Sequence, residues 1–308
     1  MRAVRVHTFG AAPSVDLVDA PEGGPGLTIV RMTAASIAHL DRSVASGTFL
    51  SSPPLPYLPG AEGSGHVLAS SVHPVGALVW LRGGGLGVAR DGTCAEVVAV
   101  PDDAVHVAPP GADPLLAACF FSPATTASVA VHELGGLRPG ERLAVTGAAG
   151  AVGSLVVQLG TEAGAAEVVG AVSRPERSAT VPAGARVVVG DLTPDGSVDL
   201  LVDTIGGAGL AARLAAVRPG GRCVLVGYTA GSTVEIDLPI LMQRDVQLLP
   251  VNMIRRAPQA FGMADGLLMR LSNGELVLPM TRYPLDDVES AWHSLADGSA
   301  RGRVVLTL

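Results

Sequence analysis

The stretch Leu143-Ala144-Val145-Thr146-Gly147-Ala148-Ala149-Gly150-Ala151-Val152-Gly153 carries the decisive pattern of this chain. An apolar strand runs into glycines at three-residue spacing, then into a helix whose Val152, Leu155, Val156 and Leu159 share one face. The first glycine permits a tight turn, and the second admits a close backbone approach. The third lets helix pack on strand, while the helix N-terminus offers free N–H donors and a positive dipole end. This arrangement suits a dinucleotide pyrophosphate on Gly147, Ala149, Gly150, Ala151, Val152 and Gly153. With 39 glycines in the chain, ordinary turns could supply such a triplet, so context decides. The strand before, the amphipathic helix after and a second strand Glu167 to Val172 complete the βαβ unit that the motif requires.

The end of that second strand bears on which dinucleotide is bound. An acidic residue there would bind the ribose hydroxyls of NAD, but the chain reads Val172-Ser173-Arg174-Pro175-Glu176-Arg177. A hydroxyl and two guanidinium groups suit a 2′-phosphate, because arginine pairs bidentately with phosphate oxygens. NADP(H) is therefore the expected cofactor, against the alternative that Arg174 and Arg177 are solvated loop charges separated by Glu176.

Outward from the glycine turn, strand and helix signals alternate. Strands are expected at Arg142 to Thr146, Val187 to Gly190, Leu200 to Asp203 and Arg222 to Gly227, with helices at Val152 to Ala163 and Leu210 to Val217. Such alternation predicts an α/β fold with a doubly wound parallel sheet. Before it, short β-like runs punctuated by Gly and Pro (Leu27 to Thr33, His66 to Ser70, Ala77 to Leu81, Cys94 to Val100) read as an irregular β domain. Within that domain Ala34 to Ser46 reads as a short helix, and Pro114 to Leu134 is helical in composition. The tail holds helices at Gly262 to Leu271 and Leu285 to Asp297 and a closing strand Arg303 to Leu308 that rejoins the first domain. The expected division is 1–122, 123–252 for the nucleotide domain, and 253–308 as a return segment.

Composition narrows the function classes. The 308 residues are 48% hydrophobic and 16% charged, as in a compact α/β enzyme of two domains. A net charge of -7 without a basic, aromatic-interleaved patch argues against a nucleic-acid partner. All 21 basic residues counted as Lys+Arg are arginines, which excludes lysine Schiff-base chemistry. Cys94, Cys119 and Cys223 form no C-x-x-C pair and read as buried small hydrophobes. No apolar run approaches membrane-spanning length and the start alternates like a strand, so a soluble cytoplasmic protein with a small-molecule substrate is expected.

Several stretches resemble the zinc-free quinone oxidoreductase and enoyl reductase branch of the medium-chain dehydrogenase/reductase superfamily. They are Pro59-Gly60-Ala61-Glu62-Gly63-Ser64-Gly65-His66-Val67, Leu137 to Glu141 followed by Thr146 to Gly153 and Gln158, Asp199 to Gly207, and Arg218 to Arg222. Their order and spacing are more specific than any one of them. The resemblance implies a Rossmann domain plus a GroES-like, mainly β catalytic domain, an active site in the cleft between the two, and a homodimer formed through edge strands. It also implies that Thr126 touches the nicotinamide side, that Ser173, Arg174 and Arg177 hold the 2′-phosphate, that Gly227 and Tyr228 lie beside the cofactor, and that Val251 and Asn252 border the nicotinamide.

The resemblance also locates departures. In the alcohol dehydrogenase branch a catalytic Cys lies three residues before an Asp, and a His precedes the Glu of the P-G-H-E segment. Here those places hold Ala38, before Asp41, and Ala61, before Glu62, so no metal is expected. Ala38 also stands where quinone-reductase relatives often carry Asn, and Phe49 stands where many carry Tyr. Candidate donors to a developing oxyanion are Thr126, Tyr57, His39 and Asn252, with packing as the competing reading for Tyr57 and a structural role for His39. The expected activity is NADPH-dependent hydride transfer, without zinc, to a quinone or α,β-unsaturated ketone. The alternatives are a carbonyl reductase of a specialised-metabolite pathway and a non-catalytic NADPH-binding protein.

Overall fold

The structure, a computed structural model, describes all 308 residues and divides into two compact units. One comprises Met1–Phe121, Asp265–Glu275 and Met280–Leu308; the other comprises Ser122–Ala264 and Leu276–Pro279. In chain order the first stretch contributes β1 (Arg2–Arg5), β2 (Ser14–Leu17), β3 (Leu27–Ile37), α1 (His39–Ala45), β4 (Glu62–Ala69), β5 (Leu78–Leu81), β6 (Val97–Pro101), β7 (Val105–Val107) and α2 (Pro114–Ala117). Then follow α3 (Phe121–Ser128), β8 (Arg142–Thr146), α4 (Ala151–Glu162), β9 (Glu167–Val172), β10 (Ala185–Val189), β11 (Val198–Asp203), α5 (Leu210–Leu214), β12 (Val217–Leu225), α6 (Leu238–Arg244) and β13 (Gln247–Pro250). The chain closes with α7 (Ala257–Ser272), β14 (Met280–Pro284), α8 (Val288–Ala296) and β15 (Arg303–Thr307).

The second unit is the Rossmann arrangement expected from the sequence. Its six strands are all parallel, in the order β10-β9-β8-β11-β12-β13. Strands buried from both sides need apolar residues at consecutive positions, and Leu143, Ala144 and Val145 of β8 and Leu200, Leu201 and Val202 of β11 are fully buried. Helix α4 lies against β8 so closely that a Cβ at Gly160 would collide with the Leu143 side chain. A larger residue there would require the Leu143 side chain to move.

The first unit is built on a mixed sheet in the order β14-β15-β3-β4-β5-β7, with β6 also paired to β3. Its terminal strand β15 runs parallel to β14 and antiparallel to β3, so the last residues of the chain complete a sheet begun by β3. Tyr57, Ile37, Leu285, Trp292 and Leu306 meet in one core cluster of this unit, and Val30, Val79, Leu81 and Val100 in another. Asp113 caps α2 by accepting the amides of Leu115 and Leu116, with Pro114 supplying the first helical residue.

One local expectation is corrected. The helix expected over Ala34 to Ser46 is confined to His39–Ala45, because Ala34 to Ile37 continue β3. The cause is tertiary: those residues pair with Ser64, Gly63 and Glu62 on one side and with Val304 to Thr307 on the other. The helical composition of Pro114 to Leu134 is realised as α2, then α3 leading into a π-helical turn at Val129–Leu134. No helix is long and apolar enough to cross a membrane.

The fold makes opposite predictions for two glycines. A Cβ at Gly65 would strike the Arg31 carbonyl of the neighbouring strand, so Gly65→Ala is expected to destabilise the chain by about 1–3 kcal/mol. Gly266 lies inside α7 with open space around it, so Gly266→Ala is expected to be neutral or to stabilise by roughly 0.5–1 kcal/mol. Denaturant unfolding of the two variants checks both signs.

Candidate functional site

Strand β8 ends at the buried Thr146, and the chain turns at Gly147, whose φ of +62° is a left-handed conformation. The turn closes through a hydrogen bond from the Gly150 amide to the Gly147 carbonyl at 2.8 Å, and the Ala148 amide ties it to Ala171 of β9 at 3.1 Å. Helix α4 starts after Gly150, and the first helical acceptor is used by Ser154, whose amide donates to Gly150 at 3.0 Å. The amides of Ala151, Val152 and Gly153 therefore have no intrahelical acceptor and stand at the positive end of a three-turn helix. A Cβ at Gly153 would collide with the Gly147 carbonyl, and one at Gly147 would come within 2.6 Å of Thr204 Oγ1. Side chains are thus excluded at Gly147 and Gly153, which keeps the turn and the helix start close, as a pyrophosphate site requires.

The other residues assigned to the cofactor lie beyond the carboxyl ends of neighbouring parallel strands. Ser173 and Arg174 are exposed and Arg177 half-buried just past β9, with Glu176 exposed between them. Gly227 and the exposed Tyr228 follow β12, and Val251 and Asn252 follow β13. The Val251 amide donates to the Leu225 carbonyl at 2.9 Å, which keeps this strand end beside the previous one. The Asn252 Oδ1 accepts the Arg255 amide at 3.0 Å, which leaves the side chain two N–H donors and one oxygen lone pair. Thus the turn at Gly147 and the positions after β9, β12 and β13 share one edge of one sheet, where ligands of open parallel sheets bind. Thr126 lies on α3 and is nearly buried, at 8% exposure.

A feature that sequence reasoning missed holds this edge together. The Thr204 amide donates to Thr146 Oγ1 and the Thr204 hydroxyl donates to the Thr146 carbonyl, both at 2.8 Å, locking the turn after β11 to the root of the glycine turn. Beside it Asp203 and Arg213, both buried, form an ion pair at 2.6 Å. In sequence Asp203 stands out only within a family-like stretch; its partner lies ten residues on, at no spacing that a periodicity rule would flag.

In the first unit, Asp41 is buried and both its oxygens accept backbone amides, from Ala38 at 2.7 Å and from Gly60 at 2.9 Å. It thereby caps α1 and pins the Pro59-Gly60 turn, although burial raises its pKa against the pull of the two amides. Glu62, also buried, accepts from Arg303 Nη2 at 3.3 Å, and Arg303 donates to Ser36 Oγ at 2.7 Å. His39 opens α1 with an exposed edge; enclosure by protein, then the positive charges of Arg42 and Arg303, lower its pKa, so the ring is neutral near pH 7.

Tyr57 requires a correction. Its side chain packs among Val6, Ile37 and Cys94, its hydroxyl has no hydrogen-bond partner, and burial pushes its pKa up. A hydroxyl sealed in an apolar core presents no proton to a ligand, so the packing reading applies. Phe49 packs partly buried against the same core, and Ala61 is buried beside Glu62. The three cysteines are free and buried, with thiols shifted upward by burial, that of Cys119 to about 12. No group of three His, Cys, Asp or Glu side chains is placed to hold a metal ion.

A parallel six-stranded sheet with a glycine cradle at its carboxyl edge, joined in one chain to a mainly β unit, defines a dinucleotide-dependent oxidoreductase. Residues 24–110 match the family profile described as alcohol dehydrogenase GroES-like domain, and residues 163–306 that described as zinc-binding dehydrogenase. The chain belongs to the medium-chain dehydrogenase/reductase superfamily. It is 26% identical to quinone oxidoreductase of Mus musculus across 100% of this chain and 98% of that one. It is 28% identical to prostaglandin reductase-3 of Bos taurus across 83% of this chain and 72% of that one. The solved quinone oxidoreductase of Thermus thermophilus, described also in its complex with NADPH, is 28% identical, covers both chains fully and superposes with a TM-score of 0.80. The chain is accordingly an NAD(P)-type oxidoreductase acting on a small molecule.

Because a Cβ at Gly147 would both occupy a left-handed conformation and press on Thr204, Gly147→Ala is expected to weaken dinucleotide binding at least about tenfold, or roughly 1.4 kcal/mol. Fluorescence titration with NADPH reads this directly. Unaltered affinity in a folded variant would remove the turn from the cofactor site.

Proposed function

We propose that this oxidoreductase prefers NADPH to NADH and reduces conjugated carbonyl compounds, a quinone or an α,β-unsaturated ketone, without zinc. The observation that carries the cofactor preference is the end of β9, where Ser173, Arg174 and Arg177 stand at the carboxyl edge in place of an acidic residue. Guanidinium groups there would meet a 2′-phosphate with charge-assisted hydrogen bonds, while the amides of Ala151, Val152 and Gly153 would receive the pyrophosphate. Gly227, Tyr228, Val251 and Asn252 would flank the remainder of the cofactor. When bound, the reduced nicotinamide supplies a hydride.

Reduction of an enone leaves negative charge on the carbonyl oxygen, and a donor aimed at that oxygen lowers the barrier. Thr126 through its hydroxyl, Asn252 through its amide N–H and His39 through a neutral imidazole N–H are the donors proposed for it. With Ala38 and Ala61 at the positions of two zinc ligands, orientation rather than Lewis-acid activation would supply most of the rate. The unpaired edge of β13, flanked by exposed Leu238, Ile240, Met242 and Ile254, supports a homodimer built through that edge. Light scattering is expected to give twice the chain mass; a monomer would refute this assembly.

Oxidation of NADPH by a panel of quinones, enones and simple ketones tests the reaction. Turnover of the first two classes is expected. Turnover confined to simple ketones would favour a carbonyl reductase, and NADPH binding without any turnover a non-catalytic binder, the reading that Ala38 and Phe49 suggest. Arg174→Ala and Arg177→Ala are each expected to weaken NADPH roughly ten- to hundredfold and to leave NADH unchanged, since a hydrogen bond to a charged group contributes about 1.5–3 kcal/mol. Equal wild-type affinity for the two cofactors would end the 2′-phosphate assignment.

A further inference from the structure

The turn after β11, Thr204 to Gly207, reaches both the glycine turn and the segment after β12. Thr204 bonds Thr146 on one side, and a Cβ at Gly206 would come within 2.7 Å of the Gly227 carbonyl and 2.9 Å of Tyr228 Cα on the other. The Ala230 amide donates to the Ile205 carbonyl at 2.8 Å. Gly206 and Gly207 both have positive φ, a conformation glycine reaches freely but does not hold by itself, so the shape of the turn must be fixed by other contacts.

What imposes it is the Asp203–Arg213 pair. Asp203 Oδ1 accepts the amides of Gly206 at 2.6 Å and Ile205 at 3.2 Å, and its Oδ2 accepts Arg213 Nε at 2.6 Å. A second arm of the same guanidinium, Nη2, donates to the Gly206 carbonyl at 2.6 Å. The pair therefore grips the turn by its amide and its carbonyl at once, from the end of β11 and from α5. Burying an arginine and an aspartate adds little stability compared with apolar residues of similar volume, because desolvation offsets the attraction. Its distinctive product is geometry.

We propose that Arg213, acting through Asp203 and Gly206, is a positioning residue for cofactor binding: it holds the Thr204–Gly207 turn so that the glycine turn and the Gly227–Tyr228 segment stand at the spacing a dinucleotide needs. This rests on the reading that the glycine turn seats the cofactor. Arg213 is buried, its guanidinium is engaged by Asp203 and Gly206, and it acts through them without touching the ligand.

The test uses the full chain with NADPH and NADH. The paired variant Asp203→Asn/Arg213→Met removes both charges, and Arg213→Lys keeps a charge but loses the planar second arm. The paired variant is expected to unfold cooperatively near the wild-type midpoint, yet to bind NADPH and NADH more weakly by the same factor, tenfold or more. Its KM for cofactor should rise while kcat at saturation stays within twofold. Arg213→Lys should fall between it and wild type. Wild-type affinity in a folded paired variant, or in Arg213→Lys should the pair fail to fold, overturns the proposal. Loss in stability and kcat together, with cofactor KM unmoved, also overturns it, because that is the mark of a structural role alone. If the wild-type chain itself binds neither cofactor, the underlying reading of the glycine turn fails instead.

Discussion

The nucleotide-binding unit depends on one close approach, that of Gly153 at the start of α4 to the Gly147 carbonyl at the end of β8. With no side chain between them, helix and strand come near enough for the helix N-terminus to stand directly over the turn. The buried Leu143 and Leu155 lie on the strand and the helix that this approach brings together. The turn is then held from outside by Thr204, whose two hydrogen bonds to Thr146 join β8 to β11 at their carboxyl ends. The first amides of α4 have no intrahelical acceptor, and such a helix end leaves donors that suit an anion.

The mainly β unit uses buried acids for a different purpose. Asp41 replaces two missing backbone acceptors, and Glu62 with Arg303 and Ser36 links β4, β15 and β3. Each acid is engaged by backbone amides or by an arginine. Around them the positions that carry ligands or polar groups in the alcohol dehydrogenase and quinone-reductase patterns are filled by Ala38, Phe49 and Ala61. The proposed hydride transfer would accordingly rest on placement of two reactants.

The parallel sheet was legible in the sequence because its strands are short apolar runs alternating with helical ones, and β9 begins and ends at the expected residues. The glycine turn was legible because its chemistry is backbone chemistry, recorded by the absence of side chains at Gly147, Gly150 and Gly153. Ala34 to Ile37 misled because Ile37, Leu40 and Val44 recur at helical spacing while β4 and β15 offer hydrogen bonds on both edges. Tertiary pairing overrides a weak local period. Strands β13 and β14 carry proline or charge among few apolar residues and escaped notice. The Asp203–Arg213 clamp was invisible for another reason: it joins a strand end to a helix across a glycine-rich turn, and no spacing in sequence encodes a contact that depends on the turn's shape.

One sheet edge is proposed to hold an NADPH molecule, pyrophosphate on the helix α4 amides and 2′-phosphate on the arginines after β9. A crystal structure of the NADPH complex tests this most directly. Pyrophosphate oxygens are expected within hydrogen-bond distance of the Ala151 to Gly153 amides, and the 2′-phosphate within reach of Arg174 or Arg177. A cofactor bound with its phosphates away from that helix end, or with the 2′-phosphate free in solvent, would contradict it.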